Sequence, residues 1–317
     1  MKVFLAGASG VVGRRLVPML VAAGHDVTGL TRTPAGAEAI RATGAQAVLG
    51  DVLDAERVRA LVTETAPDAV VQHLTDLPSA LGPRGLAKAY AGNDRVRREG
   101  TANLVAAAEA AGARRYVAQN VCFFYATEGG PVKDEDAPLL DDLPPPFDRS
   151  ARVYRRLEAT VLGARGLEGL VLRCGWWYGP GTTYAPDGHQ AGEIRRRRVP
   201  VVGDGGGVFS FVHVDDVATA TLAALERGGS GVYNVCDDEP APVREWLPAL
   251  AATLGAPPPR RVPAWLAALL VGRFGVRFFT EARGASNVKA KRELGWDPAH
   301  PTWRAGFEQE ARASQGT

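Results

Sequence analysis

Lys2-Val3-Phe4-Leu5-Ala6-Gly7-Ala8-Ser9-Gly10-Val11-Val12-Gly13-Arg14-Arg15-Leu16-Val17-Pro18-Met19-Leu20 is the stretch on which the reading of this chain turns. Val3 to Ala6 is a short apolar run suited to a buried parallel strand. Gly7, Gly10 and Gly13 follow at three-residue spacing, and an apolar-periodic helix continues through Leu16, Leu20 and Val21. A dinucleotide asks for these parts in this order. The turn after the strand needs a residue without Cβ, and a pyrophosphate must approach bare backbone N–H groups. The helix N-terminus adds unpaired donors and partial positive charge. The loop of Gly7, Ser9, Gly10, Val11, Val12 and Gly13 is therefore expected to hold a dinucleotide, a structural turn being the plainer alternative.

Outward from this stretch, strand and helix alternate. Asp26 to Leu30 reads as a second strand ending at Thr31-Arg32, and a helix near Gly36 to Thr43 leads to a third strand, Ala45 to Leu49, closed by Gly50-Asp51-Val52. Asp54 can cap a helix running to about Thr65. Ala69 to Val71 begins a fourth strand closing at His73-Leu74-Thr75, a long helix ends near Ala111, and Arg115 to Ala118 is a fifth strand. The alternation describes an α/β fold, a Rossmann-type doubly wound parallel sheet, whose ligands sit beyond the carboxyl ends of the strands. Gly129 to Phe147 is rich in Pro and Asp and reads as a loop. A helix over about Asp148 to Ala164 precedes a sixth strand, Leu170 to Arg173, and Trp176-Trp177-Tyr178-Gly179-Pro180-Gly181 turns into a second lobe. Val208 to Val212 and Val232 to Val235 read as strands, and Asp215 starts a helix through about Glu226. The expected division is 1–173 for the dinucleotide-binding domain and 174–317 for a smaller α/β substrate lobe, with 208–226 able to return to the Rossmann body.

Composition narrows the partners. The chain has 317 residues, 46% apolar and 23% charged, with a net charge of +2. That balance gives no reason to invoke nucleic acid or an anionic membrane. Arg195 to Arg198 is the one basic cluster and reads as a solvated helix end. No run approaches the ~20 apolar residues that span a bilayer, and the start reads as a strand, not a signal peptide. Cys122, Cys174 and Cys236 are an odd set without metal spacing, as expected of reduced thiols in a cytoplasm. No metal site is expected.

The chain resembles the extended short-chain dehydrogenase/reductases of the NAD-dependent epimerase/dehydratase type. The resemblance rests on the Gly7–Gly13 motif, Gly50-Asp51, His73-Leu74, Gly100-Thr101-Ala102-Asn103-Leu104, Tyr178-Gly179-Pro180-Gly181, Phe211-Val212-His213-Val214-Asp215-Asp216, Tyr233-Asn234-Val235 and Leu294-Gly295-Trp296. It implies a nicotinamide dinucleotide, with Asp51 and Val52 holding adenine and Leu74, Thr75 and Gln119 flanking the ribose and nicotinamide. It also implies a homodimer pairing helices around 85–111 and 148–164. An acidic residue at the end of the second strand would select NAD(H). Thr31-Arg32 stands there instead, with Arg14 and Arg15 nearby, and a cationic fork of this kind favours the 2′-phosphate of NADP(H). NAD(H) is the alternative cofactor.

The resemblance breaks at the catalytic set, usually Ser or Thr after the fifth strand and then Tyr-x-x-x-Lys on a helix. The helix reads Ser150-Ala151-Arg152-Val153-Tyr154-Arg155-Arg156-Leu157-Glu158, which admits two registers. One puts Tyr154 in the lysine slot and Ser150 in the tyrosine slot; the other takes Tyr154 as the tyrosine and Glu158 in place of lysine. Val121 stands where the hydroxyl usually lies, with Asn120 beside it. Tyr154, which either register points toward the cofactor, and Tyr178 are the remaining proton donors, and Asn120 could bond a carbonyl oxygen; packing or cofactor support is the plainer role for each. Tyr125, Cys122 and His213 read as structural. Phe209 takes the place of the arginine that binds diphosphate in sugar-nucleotide enzymes, and Trp176 that of a substrate-contacting asparagine, with Trp177 adjoining. Aromatic faces offer stacking, not charge pairing, so the expected substrate is a less charged, partly apolar carbonyl compound or imine, although Arg260, Arg261 and Arg283 could reach an acidic group. The expected activity is an NADP(H)-dependent oxidoreductase with a non-standard proton relay. The rivals are an epimerase or dehydratase recycling a tightly held cofactor, and a non-catalytic NADP(H)-binding regulator.

Overall fold

The computed structural model describes residues 1–78, 86–140, 143 and 147–315. In chain order the first half forms β1 (Lys2–Ala6), α1 (Gly13–Ala22), β2 (Asp26–Thr31), α2 (Pro34–Arg41), β3 (Gln46–Leu49), α3 (Ala55–Thr65), β4 (Ala69–Gln72), α4 (Leu86–Arg95), a π-helical turn (Val96–Gly100), α5 (Thr101–Ala110) and β5 (Arg115–Val121). There follow β6 (Val132–Lys133), α6 (Phe147–Leu162), β7 (Glu168–Cys174), β8 (Trp176–Tyr178), α7 (His189–Arg195), β9 (Val201–Val202), β10 (Val208–Phe209), β11 (Phe211–His213), α8 (Val214–Glu226) and β12 (Gly231–Val235). The chain closes with β13 (Ala241–Pro242), α9 (Val243–Thr253), β14 (Arg261–Val262), α10 (Ala264–Glu281), β15 (Gly284–Ala285), α11 (Val288–Leu294) and α12 (Trp303–Gln315).

Seven strands form one parallel sheet in the order β3-β2-β1-β4-β5-β7-β12. The opening strand shows why. Val3 to Ala6 are fully buried on both faces, as a central parallel strand requires. Val3 and Leu5 pack with Leu16, Leu20 and Val217 from α1 and α8, while Phe4 and Ala6 pack with Val58, Leu61 and Leu104 from α3 and α5. Each such side chain contributes ~1.5–3 kcal/mol. The Asp54 carboxylate caps α3, accepting from Arg57 N at 3.0 Å.

Several expectations need correction. The long helix ending near Ala111 is two helices joined by the π turn. The strand expected over Val208–Val212 divides at Ser210, whose hydroxyl accepts from Ala285 N of β15 at 2.8 Å. Helix α8 packs on α1, in keeping with a return of 208–226 to the Rossmann body, and beyond that expectation β12 pairs with β7, so the main sheet also draws on 231–235. The loop expected over Gly129–Phe147 contains the short β6; its residues 141, 142 and 144–146 lie outside the described set. The remaining C-terminal elements enclose an aromatic core of Tyr178, Phe209, Phe211, Trp246, Trp303 and Phe307. No helix among the described residues is long and apolar enough to cross a membrane.

Candidate active site

Strand order reverses between β1 and β4, and a cleft of about 160 Å³ opens beyond their carboxyl ends. Gly7, Ser9, Gly10, Thr31, Arg32, Asp51, Val52, Leu74 and Thr75 line it, joined by His73, Asp76 and Val96. Gly7 has φ +94°, and a Cβ there would stand 2.2 Å from the His73 carbonyl oxygen. Gly13 serves packing instead: its Cβ would meet the Gly7 oxygen at 2.3 Å. Val12 is buried at the start of α1, and Val11 faces the Gly181 turn. The cradle fits a dinucleotide on its own geometry, since Gly7, Ser9 and Gly10 line open space just before the N-terminus of α1. At its far end the Ser9 and Thr31 hydroxyls lie 3.0 Å apart, and Asn103 Nδ2 donates to Val52 O at 2.8 Å, fixing that turn.

The expected cationic fork is reduced to Arg32. Its guanidinium lies 3.5 Å from Asp76 across the cleft mouth, both side chains well exposed. Arg14 Nε donates to Ser9 O, while Arg15 is taken by Asp215 Oδ1 (2.5 Å), Val11 O and Pro180 O. Arg15 therefore ties α1 to α8 and to the Pro180 turn.

Deeper in, Glu158 serves the sheet rather than the cofactor. Its two oxygens meet Arg173 Nε and Nη2, each at 2.7 Å. Arg173 also donates to the Tyr125 hydroxyl at 2.9 Å, which donates to Asn234 Oδ1 at 2.7 Å. The register that makes Glu158 a lysine substitute thus has no side chain left for the cofactor. Ser150 is buried and donates to Asp94 Oδ2 at 2.9 Å. Tyr154 is 5% exposed, stacked on Phe124 and lying under the Arg97 guanidinium at 5.2 Å. Burial pushes its hydroxyl above the usual phenol range, and Arg97 offsets this only in part.

Two catalytic expectations, Asn120 as a hydrogen-bond donor to a carbonyl and Tyr178 as a proton donor, are not met by the geometry. Asn120 spends its amide hydrogens on Glu158 Oε1 (2.8 Å) and Tyr154 O (3.2 Å), so it has none for a substrate carbonyl. Tyr178 is fully buried in the aromatic core, against His213 and Phe307, its hydroxyl filling the space a Cβ at Gly306 would take. Gln119 is also buried, its side-chain oxygen accepting from Arg97 at 2.9 Å. Arg97 itself was not anticipated. The only signal was a charged residue close before Gly100-Thr101, where the helix face turns inward.

The aromatic wall forms in part as expected. Trp176 stacks between Phe123 (4.2 Å) and Phe209 (5.5 Å), with Phe278 edge-on to both sides. Trp177 is not in it. On a strand successive side chains face opposite ways, so Trp177 points back into the core of the main sheet. His213, Asp216 and His300 also converge, which spacing did not signal. Their atoms are occupied: His213 Nδ1 accepts from Asp215 N and caps α8, Asp216 accepts from Ala299 N and His300, and the imidazoles stack at 3.8 Å.

Comparison with known proteins agrees with this fold. Residues 3–236 match the model of the NAD dependent epimerase/dehydratase family. A 3-diazoavenalumate denitrifying reductase from a Streptomyces species is 48% identical over 312 residues, covering 98% of this chain and 100% of that one. A 4-hydroxy-2-methyl-3-oxo-4-farnesyl-3,4-dihydroquinoline-1-oxide ketoreductase from Stigmatella aurantiaca is 32% identical, covering 80% and 74%. Among solved structures, the Thermus thermophilus UDP-glucose 4-epimerase, a complex with NAD, superposes with a TM-score of 0.73 at 23% identity over the whole of both chains. The protein belongs to the NAD dependent epimerase/dehydratase family and is an NAD(P)-dependent oxidoreductase of the short-chain dehydrogenase/reductase superfamily.

Proposed function

We propose that this protein is an NADPH-dependent reductase that replaces the diazo group of an aromatic compound with hydrogen. The observation that carries the reading is the shortage, among the described residues, of proton donors at the family's usual catalytic positions. Ser150 is bonded to Asp94, Val121 has no hydroxyl, and the Tyr154 hydroxyl is buried with its pKa raised. Ketone reduction needs a proton for the new alkoxide. Diazo removal does not: hydride plus an arenediazonium gives an arene C–H bond and dinitrogen, with atoms and charge balanced. The name of the relative at 48% identity describes chemistry of this kind.

Bound NADPH would supply the hydride. The amides of the Gly7–Gly13 loop would hold the diphosphate, Asp51 and Val52 the adenine, and Leu74 and Thr75 the ribose. Ser9, Thr31 and Arg32 would meet the 2′-phosphate, since β2 ends without a carboxylate. Phe123, half-buried at the end of its stack with Trp176 and Phe209, would stack the aromatic substrate, and the rings behind it would exclude water, which would otherwise capture a diazonium. We further propose a cytoplasmic location, where the three buried free thiols stay reduced, and a homodimer through the α4–α5 and α6 faces.

The test is turnover of an ortho-diazophenol with NADPH carrying deuterium at C4, following NADPH loss, dinitrogen and the phenol. Deuterium in the product ring is expected. The second reading, reduction of a carbonyl or imine, is favoured by the relative named a ketoreductase. Reduction of β-keto compounds without action on the diazophenol would establish it instead.

A further inference from the structure

Arg97 is 3% exposed and, among the described residues, makes no ion pair. Two of its nitrogens go to the carbonyl and amide oxygens of Gln119, at 3.3 and 2.9 Å, and its Nε has no acceptor. Asp94 acts on it from the preceding turn, but Oδ2 is bonded to Ser150, Oδ1 is unbonded, and burial raises the carboxyl's pKa. Asn93 lies beside the Tyr154 hydroxyl, and its Nδ2 makes no bond of good geometry. His73 Nδ1, at the end of β4, is likewise unpartnered. Arg97 follows Val96 in the chain, bonds Gln119 of β5 and acts electrostatically on His73, and Val96 and His73 both line the cleft. Arg97 is set there by the π-helical turn Val96–Gly100, a wide turn that re-aims side chains and recurs at functional sites. A buried cation without an ion-pair partner is costly, and the two unused donors there, Arg97 Nε and Asn93 Nδ2, are what a bound anion would satisfy.

We infer that Arg97, with Asn93 Nδ2 as a second donor, binds an anionic oxygen of the substrate, a carboxylate or a phenolate. The inference rests on the reading of the substrate as an aromatic compound and adds the acid group it carries. A phenolate conjugated with a diazo group feeds charge into it and dulls its electrophilicity. Pairing that oxygen with the guanidinium keeps the charge on oxygen and leaves the diazonium open to hydride. The C–N bond then breaks as the C–H bond forms, dinitrogen leaves, and NADPH is oxidised to NADP⁺. A carboxylate at the same place would only orient the ring.

The probes are 4-hydroxycinnamate, its methyl ester and 4-methoxycinnamate, titrated calorimetrically into the NADP⁺-saturated protein. Arg97→Met is expected to weaken 4-hydroxycinnamate about 30-fold or more, with NADP⁺ affinity unchanged and Arg97→Lys recovering part of the loss. Its apo Tm should equal or exceed that of the wild type, because an uncompensated buried charge has been removed. Loss with the ester assigns the carboxylate; loss with the methoxy compound assigns the phenolic oxygen. Undiminished binding by Arg97→Met, no binding by the wild type, or a parallel fall in NADP⁺ affinity overturns the inference, the last by making the cofactor diphosphate the anion. If Arg97→Met does not fold, Asn93→Ala carries the same test. Absence of diazophenol turnover with binding still dependent on Arg97 would sink the proposed reaction alone.

Discussion

Breaking the Glu158–Arg173 pair should unfold much of what holds α6 to the sheet. Both side chains are nearly buried, at 10% and 6% exposure, and both contacts are 2.7 Å. Glu158→Leu leaves the Arg173 guanidinium in the interior with Tyr125 and the Glu135 carbonyl as its remaining partners. Removing one member of such a pair costs about 3–5 kcal/mol, a large part of the ~5–15 kcal/mol that keeps a typical protein folded. Replacing both, as Glu158→Leu with Arg173→Met, removes the stranded charge and should cost less than the two single changes added together. Urea unfolding followed by far-ultraviolet circular dichroism gives each free energy, and the four proteins close a double-mutant cycle. A coupling of about 2–3 kcal/mol is expected. Single changes below ~1 kcal/mol, or effects that simply add, would refute the reasoning. They would return Glu158 to the cleft in place of the missing lysine.

Arg32→Ala should raise KM for NADPH about tenfold and leave KM for NADH unchanged, the effect being modest because the guanidinium is well exposed; an unchanged ratio removes Arg32 from cofactor choice. Tyr154→Phe should keep kcat within about threefold on a diazo substrate, whereas a fall of ~100-fold would reinstate the hydroxyl as proton donor. His73 has its pKa pushed down from 6.5 to about 3, first by burial and then by Arg97. The folded protein holds it neutral while the unfolded chain takes up a proton below about pH 6.5, so stability is full above that pH and falls as pH drops toward 3. His73→Gln should therefore lose about 2–3 kcal/mol less than the wild type between pH 7 and 4.5 in urea unfolding; equal losses would show that the imidazole is not held neutral.

The parts legible in the sequence are those set by local rules. The opening strand, the glycine turn, the Asp54 cap and the cleft residues at strand ends all follow from periodicity and backbone geometry. Trp177 reads as part of the site because it adjoins Trp176, and Tyr178 as a proton donor, but strand alternation turns the first into the main-sheet core and α12 covers the second. Asn120 and Glu158 carry side chains fit for chemistry, and only the fold shows them bonded to one another. Arg97 was hidden for a different reason. A π turn has no period that can be read from residue spacing, so nothing local distinguished its inward arginine from the neighbouring exposed ones.

Arg15 has a bearing on protein engineering. By sequence it belongs to the group that chooses between the two nicotinamide cofactors, and a designer seeking to switch preference would neutralise it along with Arg32. In the fold it fastens the start of α1 to Asp215 and to the Pro180 turn. A library that varies position 15 would loosen the whole mouth of the cleft and penalise both cofactors alike, so redesign should be confined to the rim formed by Thr31, Arg32 and Asp76.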